Sequence, residues 1–214
     1  MSGSAAPHVL LSRDALAQNV RDLVSRGGAI DLRHDAYGHG AAEVAAIAEA
    51  AGATLLTDAD GTASMEDVLR LFGIPSADGV LSSRPVMALE GRVLSTKPLH
   101  AGEAVSYGYT HRAERDTRVA LVTGGYAQGI LRALGNRVRV QLGEQTHPII
   151  GRIAMDVCVV DLEGGDAEVG APVCFFGGTG AVRGALARWS AATGLTALEV
   201  AVVIGQKAER KWVA

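Results

Sequence analysis

The 214-residue sequence has few of the features that mark several common classes of protein. Aromatic residues make up only 4% of the chain and the formal net charge is -3, so it offers neither a base-stacking surface nor a basic stripe for nucleic acid. Two cysteines, Cys158 and Cys174, are too few for a disulfide framework. They are expected to be small buried side chains, although a single pairing stays open.

Long apolar runs are also absent. The sequence has no stretch of about 18 apolar residues, which argues against a membrane-spanning helix. Its first ten residues lack the basic patch and apolar run of a signal peptide. We therefore predict a cytoplasmic protein with no membrane partner, no nucleic-acid partner and no metal site.

The first 80 residues alternate short apolar runs with amphipathic stretches. Apolar runs predict strands at 8–11, 29–32 and 54–57, and helical spacing predicts helices that begin after Ser12, at 41 and after Ser64. Both serines offer an N-cap hydroxyl, and Gly52 closes the alanine-rich helix. Glycines at 38 and 40 predict a loop. This alternation is typical of parallel βα units.

From residue 85 onward the pattern changes to short branched runs punctuated by glycine, at 86–89, 119–122, 138–142 and 158–160. Such spacing favours an antiparallel sheet or barrel. A helix is predicted over 182–192, and the apolar stretch 198–204 is left open as helix or strand. The predicted fold is thus α/β plus all-β: a βα lobe at 12–80, and a β domain formed by 1–11 with 85–214.

Four short motifs follow one another along the chain. They are DAYGHG at 35–40, SYG at 106–108, GYAQG at 125–129 with Arg132 after it, and GRIAMD at 151–156. Any one of these motifs on its own can occur by chance, but the four in this order resemble the signatures of alanine racemases. The resemblance implies a lysine that holds pyridoxal phosphate at the mouth of a (β/α)₈ barrel, and a C-terminal antiparallel β domain. It also implies interconversion of L- and D-alanine for cell-wall precursor supply.

The chain departs from that family at the residue two positions before the first motif. Where the family has its lysine, this sequence has Arg33. A guanidinium stays protonated and delocalised, so it cannot form the imine linkage or act as the proton-shuttling base. We expect Arg33 instead to form a salt bridge with Asp31 or Asp35, and an anion-binding role is the alternative.

The barrel of the family is also too large for this chain. Only 65 residues (41–105) separate the first two motifs, whereas one βαβ unit takes about 30 and a complete barrel about 250. The lobe at 12–80 is therefore interpreted as the remnant of a barrel. Near the C-terminus the family has a tyrosine before a glutamate that contacts the phosphate, and here Leu198 precedes Glu199.

Other residues of the family's site are retained. The resemblance implies that Tyr107 is a second catalytic base, that Met155 and Asp156 line the substrate pocket, and that Tyr37 is a vestigial cofactor contact. In the family, the first three reach across a dimer into the barrel of the other subunit. The alternatives are a buried structural tyrosine at 107, and a packing methionine followed by a turn-forming aspartate at 155–156. His39 is most simply a loop residue, and His34 a surface residue.

Three functions follow from these observations. The first is a non-catalytic homologue that acts as a binding or regulatory module. The second is an assembly partner, as a homodimer or as a heterodimer with a full-length alanine racemase. The third is a working racemase with pyridoxal phosphate and an amino-acid substrate. We favour the first two, with no cofactor, and the spectrum of a bound cofactor discriminates them from the third.

Overall fold

The computed structural model describes residues 6–56, 61 and 63–214. Its strands are β1 (His8–Ser12), β2 (Ile30–Asp31), β3 (Leu55–Leu56), β4 (Met87–Leu99), β5 (Ala104–Val105), β6 (His111–Arg112), β7 (Thr117–Thr123), β8 (Arg139–Leu142), β9 (Gln145–Ile150), β10 (Val157–Asp161), β11 (Pro172–Phe176) and β12 (Glu209–Val213). Its helices are α1 (Arg13–Val24), α2 (Arg33–Gly38), α3 (Ala41–Ala50), α4 (Met65–Phe72), α5 (Ala185–Thr193) and α6 (Ala197–Lys207).

An antiparallel barrel forms the larger part of the structure. The long strand β4 pairs with β7, and the order continues through β10, β9 and β8 to β11, which pairs back with β4. Six strands thus close on themselves, so this part of the sheet has no free edge. Strand β1 adds to the first half of β4 in antiparallel register, and β12 adds to β1 in parallel register. The predicted fold class is confirmed by this arrangement.

The N-terminal lobe contains a two-stranded parallel sheet, β2 with β3, flanked by helices. The strands are shorter than the sequence predicts, and Thr57, at the end of the third predicted strand, lies outside the described residues. Helix α1 begins where Ser12 Oγ accepts a hydrogen bond from the Ala15 amide (3.1 Å). Its buried residues recur at helical spacing, and they pack into the same apolar cluster as the barrel strands. The division into domains at 12–80 and 85–214 stays a prediction.

Two predictions about local structure need correction. The loop predicted around glycines 38 and 40 begins instead with the short element α2. This element is a left-handed turn, because residues 34 to 37 all have φ between 50° and 57°. The helix predicted from 182 begins at Ala185, since Val182 still closes the preceding turn by accepting from the Ala185 and Gly177 amides. The stretch left open at 198–204 is helical, within α6, and its N-terminus carries a capping box between Thr196 and Glu199.

Both cysteines are free, with Cys158 buried and Cys174 partly buried. Within the described residues no single helix is long and apolar enough to cross a membrane. Helices α5 and α6 taken together have the length and composition of a membrane span, but they are bent by 99° relative to each other.

Candidate functional site

Three of the four sequence motifs meet in loops beside the barrel. The SYG segment contacts the GRIAMD segment, because Ser106 Oγ donates to the carbonyl of Arg152. Gly108 lies against the Arg152 guanidinium, at φ 76°, a backbone conformation that glycine adopts without strain. The same loops are held by Asn136, whose side-chain oxygen accepts from the Gly151 amide (2.6 Å).

The GYAQG segment contacts the other end of GRIAMD. The amide of Ala127 donates to the Met155 carbonyl (3.0 Å), and Gln128 Nε2 donates to Asp156 Oδ1 (3.1 Å). A side chain at Gly125 would overlap the Met155 carbonyl, so the close approach of these loops requires glycine there. These three motifs are therefore neighbours in space as well as in order.

The predicted site residues in these loops face solvent. Tyr107 is 71% exposed and Met155 is 54% exposed, and Asp156 is exposed as well. The alternatives in which Tyr107 is a buried structural tyrosine and Met155 a packing residue are wrong for this reason. Arg132 stacks its guanidinium 4.6 Å from the centre of the Tyr126 ring, so this motif arginine has an aromatic partner within the same loop cluster.

Arg33 and Tyr37 belong to a second group, at the carboxyl end of β2. Asp31 is fully buried and accepts four hydrogen bonds from Arg33, of which the shortest are from Nε to Oδ1 (2.9 Å) and from Nη2 to Oδ2 (2.6 Å). The Tyr37 hydroxyl donates to the same Oδ2 (3.0 Å) and accepts from Arg33 Nη2 (3.2 Å). The salt bridge expected for Arg33 thus forms with Asp31.

The charges in this group stabilise one another. Burial alone would raise the pKa of Asp31, but hydrogen bonds from Arg33 and Tyr37 outweigh burial and lower that pKa to about 2. The hydrogen bond to Asp31 raises the pKa of the Arg33 guanidinium further above its ordinary value, so it stays protonated. Burial and the hydrogen bond to Asp31 raise the pKa of Tyr37, which keeps its phenol neutral. The arrangement is chemically a closed ion pair, without a nucleophile or a base.

His39 lies in the turn between α2 and α3, as its interpretation as a loop residue predicts, but it is not on the surface. It is fully buried and its ring stacks on Phe72, with 4.0 Å between ring centres. Its Nδ1 lies 3.1 Å from the Ala36 carbonyl, and Nε2 has no partner among the described residues. Burial lowers the pKa of His39 to about 4, so the ring is neutral near pH 7. His34, by contrast, is exposed as predicted.

The left-handed turn is fixed by residues distant in sequence. Asp35 Oδ1 caps α3 by accepting from the Ala41 amide (2.8 Å), and its other oxygen accepts from Arg210 of β12. Gly38 packs on α6, where a side chain at Gly205 would overlap the Gly38 carbonyl. Sequence reasoning missed Arg210, because it lies 175 residues from Asp35 and nothing local marks it as a partner.

The two groups of site residues are not joined directly. Among the described residues no hydrogen bond, ion pair or ring contact connects Arg33 with Tyr107. Both groups contact α6. Gly38 of the DAYGHG motif lies against Val202, and Gly129 of the GYAQG motif lies against Ile204. A cavity of about 620 Å³ between α4 and the α5–α6 corner includes Leu198 in its wall but none of the predicted site residues.

The sequence matches a known family model and curated relatives. The model described as "Alanine racemase, C-terminal domain" matches residues 86–212. Alanine racemase of Mycolicibacterium vanbaalenii is 46% identical over 91 residues, which are 42% of this chain and 23% of that protein. Alanine racemase of Chlorobaculum tepidum is 39% identical over 118 residues, 53% of this chain and 31% of that protein. The chain thus spans well under two thirds of the length of these relatives.

Solved structures show the same fold. Alanine racemase from E. faecalis superposes with a TM-score of 0.82 at 16% identity, with an alignment that reaches over 100% of both chains. Alanine racemase from Clostridium difficile 630 superposes with a TM-score of 0.60 at 29% identity, over 68% of this chain and 38% of that chain.

Proposed function

Because the chain belongs to the family of the alanine racemase C-terminal domain, we propose that it is a non-catalytic homologue that acts as a binding or assembly module. The observation that carries the proposal is the ion pair between Arg33 and the buried Asp31. It occupies the position where the resemblance implies a reactive amine. An imine requires a neutral primary amine, and this guanidinium is protonated and paired with Asp31.

The remaining amines do not replace the missing one. The three lysines of the sequence are Lys97 on β4, Lys207 at the end of α6 and Lys211 on β12, and all three are exposed. None follows β2 or β3, the two strands of the barrel remnant. The residues present therefore do not fit covalently held pyridoxal phosphate.

The lobe also lacks the walls that would enclose a cofactor. A (β/α)₈ barrel builds its site from the loops after eight strands, and the described lobe has two. The alternative function, an active alanine racemase that interconverts L- and D-alanine, would need the cofactor as an electron sink as well as two bases on opposite faces of the substrate. This chain has a candidate for only one of the two bases, and that candidate is Tyr107.

The exposed loop residues support the assembly role. Tyr107 and Met155 extend into solvent, and the Tyr107 hydroxyl has no partner within the described part of the chain. We propose that they contact a second subunit, either another copy of this chain or a full-length alanine racemase. The ligand class that fits this proposal is an amino acid bound at such an interface. We further propose a cytoplasmic location without membrane or nucleic-acid partners.

Two experiments test the proposal. The first records the absorbance spectrum after incubation with pyridoxal phosphate, followed by borohydride reduction, peptide mass analysis and exchange of the alanine Cα proton in D₂O. We expect neither stoichiometric labelling of a specific lysine nor exchange. Labelling of one lysine together with exchange would establish the racemase alternative instead.

The second experiment tests assembly by complementation. A full-length racemase that lacks its equivalent of Tyr107 is mixed with this chain, and turnover is measured. We expect partial recovery with the unmodified chain and with the Tyr109→Phe control, because Tyr109 is similarly exposed (68%) but lies outside the motif. The Tyr107→Phe variant should restore nothing. Equal turnover from all three would exclude the role of Tyr107 in assembly.

A further inference from the structure

A pocket of about 430 Å³ lies where one face of α1, from Ser12 to Asp22, meets the segment 81–85 and the glycine-rich loop after β11. Ser12 and Ala15 of α1 line one wall, and Gly178, Thr179 and Arg183 line another. No residue of the four sequence motifs contributes to it. The pocket is therefore distinct from both groups of site residues described above, and we refer to it as the arginine pocket.

Two arginines of this pocket have free guanidinium groups. Arg84 is anchored through its backbone, whose carbonyl accepts from Asn19 Nδ2 (2.8 Å), and Arg183 lies in the loop before α5. Throughout the part of the chain that the structure describes, neither guanidinium has a hydrogen-bond or ion-pair partner. Seven other arginines do pair with a carboxylate. Two unpaired arginines in one concave site leave a local excess of positive charge.

Further donors point to the same kind of ligand. Over the described residues, the amides of Gly178 and Thr179 have no acceptor, and the hydroxyls of Ser82 and Thr179 have no partner. Few acceptors of the pocket are free, since Asp22 accepts from Gln18 Nε2 through Oδ1 (2.9 Å), which leaves only Oδ2, and Asn19 is bonded to the backbone. Asp22 is also the single acidic side chain in the wall. Free donors therefore exceed free acceptors, which suits an anion with several oxygens.

The surrounding backbone favours the same charge. Helix α1 has 12 residues and its first turn lies at one end of the pocket, so its N-terminal dipole adds partial positive charge at that end. Gly178 has φ 64°, which turns the loop so that its amide is left outside the strand and helix hydrogen bonding. Backbone amides in such glycine turns commonly bind anionic oxygens.

We propose that the arginine pocket binds the phosphoryl group of a small phosphomonoester. A phosphoryl group carries up to two negative charges and three terminal oxygens. It can therefore accept from guanidinium, amide and hydroxyl donors on different walls at once, whereas a carboxylate has one charge and two oxygens. The pocket volume leaves room for a small organic group beside the phosphate.

The test is titration of the full chain with inorganic phosphate at constant ionic strength, with chloride and acetate as comparators. Unfolding temperature and calorimetric heat are measured. We expect a saturable stabilisation by phosphate that neither chloride nor acetate reproduces. Arg84→Gln and Arg183→Gln should each weaken phosphate binding by about tenfold or more, because each removes a charge-assisted hydrogen bond. Arg183→Lys should retain part of the affinity, because it keeps the charge without the planar fork.

Arg115→Gln is the matched control, because Arg115 is exposed, lies outside the pocket and has no partner in the described chain. Its phosphate affinity should equal that of the unmodified chain. A stabilisation that is not saturable, or one that persists in the Arg84→Gln/Arg183→Gln double variant, would overturn the site. An equal effect of acetate would overturn the assignment to a phosphoryl group.

Discussion

Arg33 and Asp31 form a two-pronged ion pair in which the aspartate is fully buried and the arginine side chain is 22% exposed. Both oxygens of this carboxylate accept hydrogen bonds, Oδ1 from Arg33 and Oδ2 from both Arg33 and Tyr37. The pair therefore has a structural role at residue 33, where the family resemblance implies the lysine that holds pyridoxal phosphate. The substitution at residue 33 is accommodated by the lobe and does not leave an unpaired buried charge.

Replacing Arg33 by methionine should destabilise the chain by about 3 kcal/mol, because it leaves the buried Asp31 carboxylate without its cation. The matched control is Arg70→Met, which breaks an exposed pair with Glu66 one helical turn away. That change should cost about 0.3–0.5 kcal/mol. Urea unfolding at pH 7 measures both. Similar losses in the two variants would contradict the structural role of the Arg33–Asp31 pair.

Restoring lysine with Arg33→Lys should not produce racemase activity. The lysine would meet the same buried Asp31, which favours its charged form and keeps the amine protonated. The two-stranded lobe would still lack the loops that enclose a cofactor. The measurement is alanine Cα proton exchange in D₂O with added pyridoxal phosphate, compared with the unmodified chain. Exchange that appears only in the variant would show that residue 33 alone abolished the activity.

His39 should make folding stability depend on pH between about 6.5 and 4. Burial lowers its pKa in the folded chain to about 4, against an ordinary value of 6.5, so only the unfolded chain takes up a proton in this window. Stability is therefore complete above pH 6.5 and declines as the pH falls, by up to about 3 kcal/mol. Denaturant unfolding at a series of pH values measures the slope.

Two variants isolate the contribution of His39 to this slope. His39→Gln should be less stable at pH 7, because it loses the stacking on Phe72, but its stability should change less between pH 6.5 and 4. His34→Gln removes the exposed histidine of the same turn and should keep the slope of the unmodified chain. An unchanged slope in His39→Gln would assign the pH dependence to other groups.

Gly38→Ala should cost more stability than Gly52→Ala, although both glycines have positive φ, 83° and 71° respectively. An added methyl at Gly52 meets nothing within 4 Å, so only backbone strain of about 1 kcal/mol is expected. At Gly38 the methyl would lie 3.1 Å from the Val202 carbonyl and press on α6. An additional loss of about 1–3 kcal/mol is expected in thermal or urea unfolding. Equal losses of stability in the two variants would mean that α6 moves away from the added methyl at no cost in free energy.

Local sequence signals predicted much of the fold. The hydroxyls of Ser12 and Ser64 do cap α1 and α4, and the branched runs after residue 85 are strands of the barrel. The left-handed turn at 34–37 could not be predicted, because alanine, tyrosine, histidine and aspartate rarely adopt positive φ in succession. That conformation depends on contacts with Arg210 and α6, which come from the far end of the chain.

The candidate site was predicted less completely. Motif order correctly identified which loops are neighbours, and the chemistry of arginine correctly indicated a salt bridge for Arg33. Sequence alone could not tell that Tyr107 is exposed and His39 buried, since both stand beside glycines in similar local patterns. Their burial depends on whether α4 and α6 pack over them, which is a tertiary property.

The position of β1 in the sheet has a consequence for how the chain folds. The neighbours of β1 are β4, about 80 residues later, and β12, about 200 residues later, with His8 opposite Glu209. Pairing across so long a loop is slow, so we expect β1 to pair with β4 first and with β12 later. Until β12 docks, the outer edge of β1 stays unpaired, so a folding intermediate that lacks β12 exposes a strand edge with which another chain can pair.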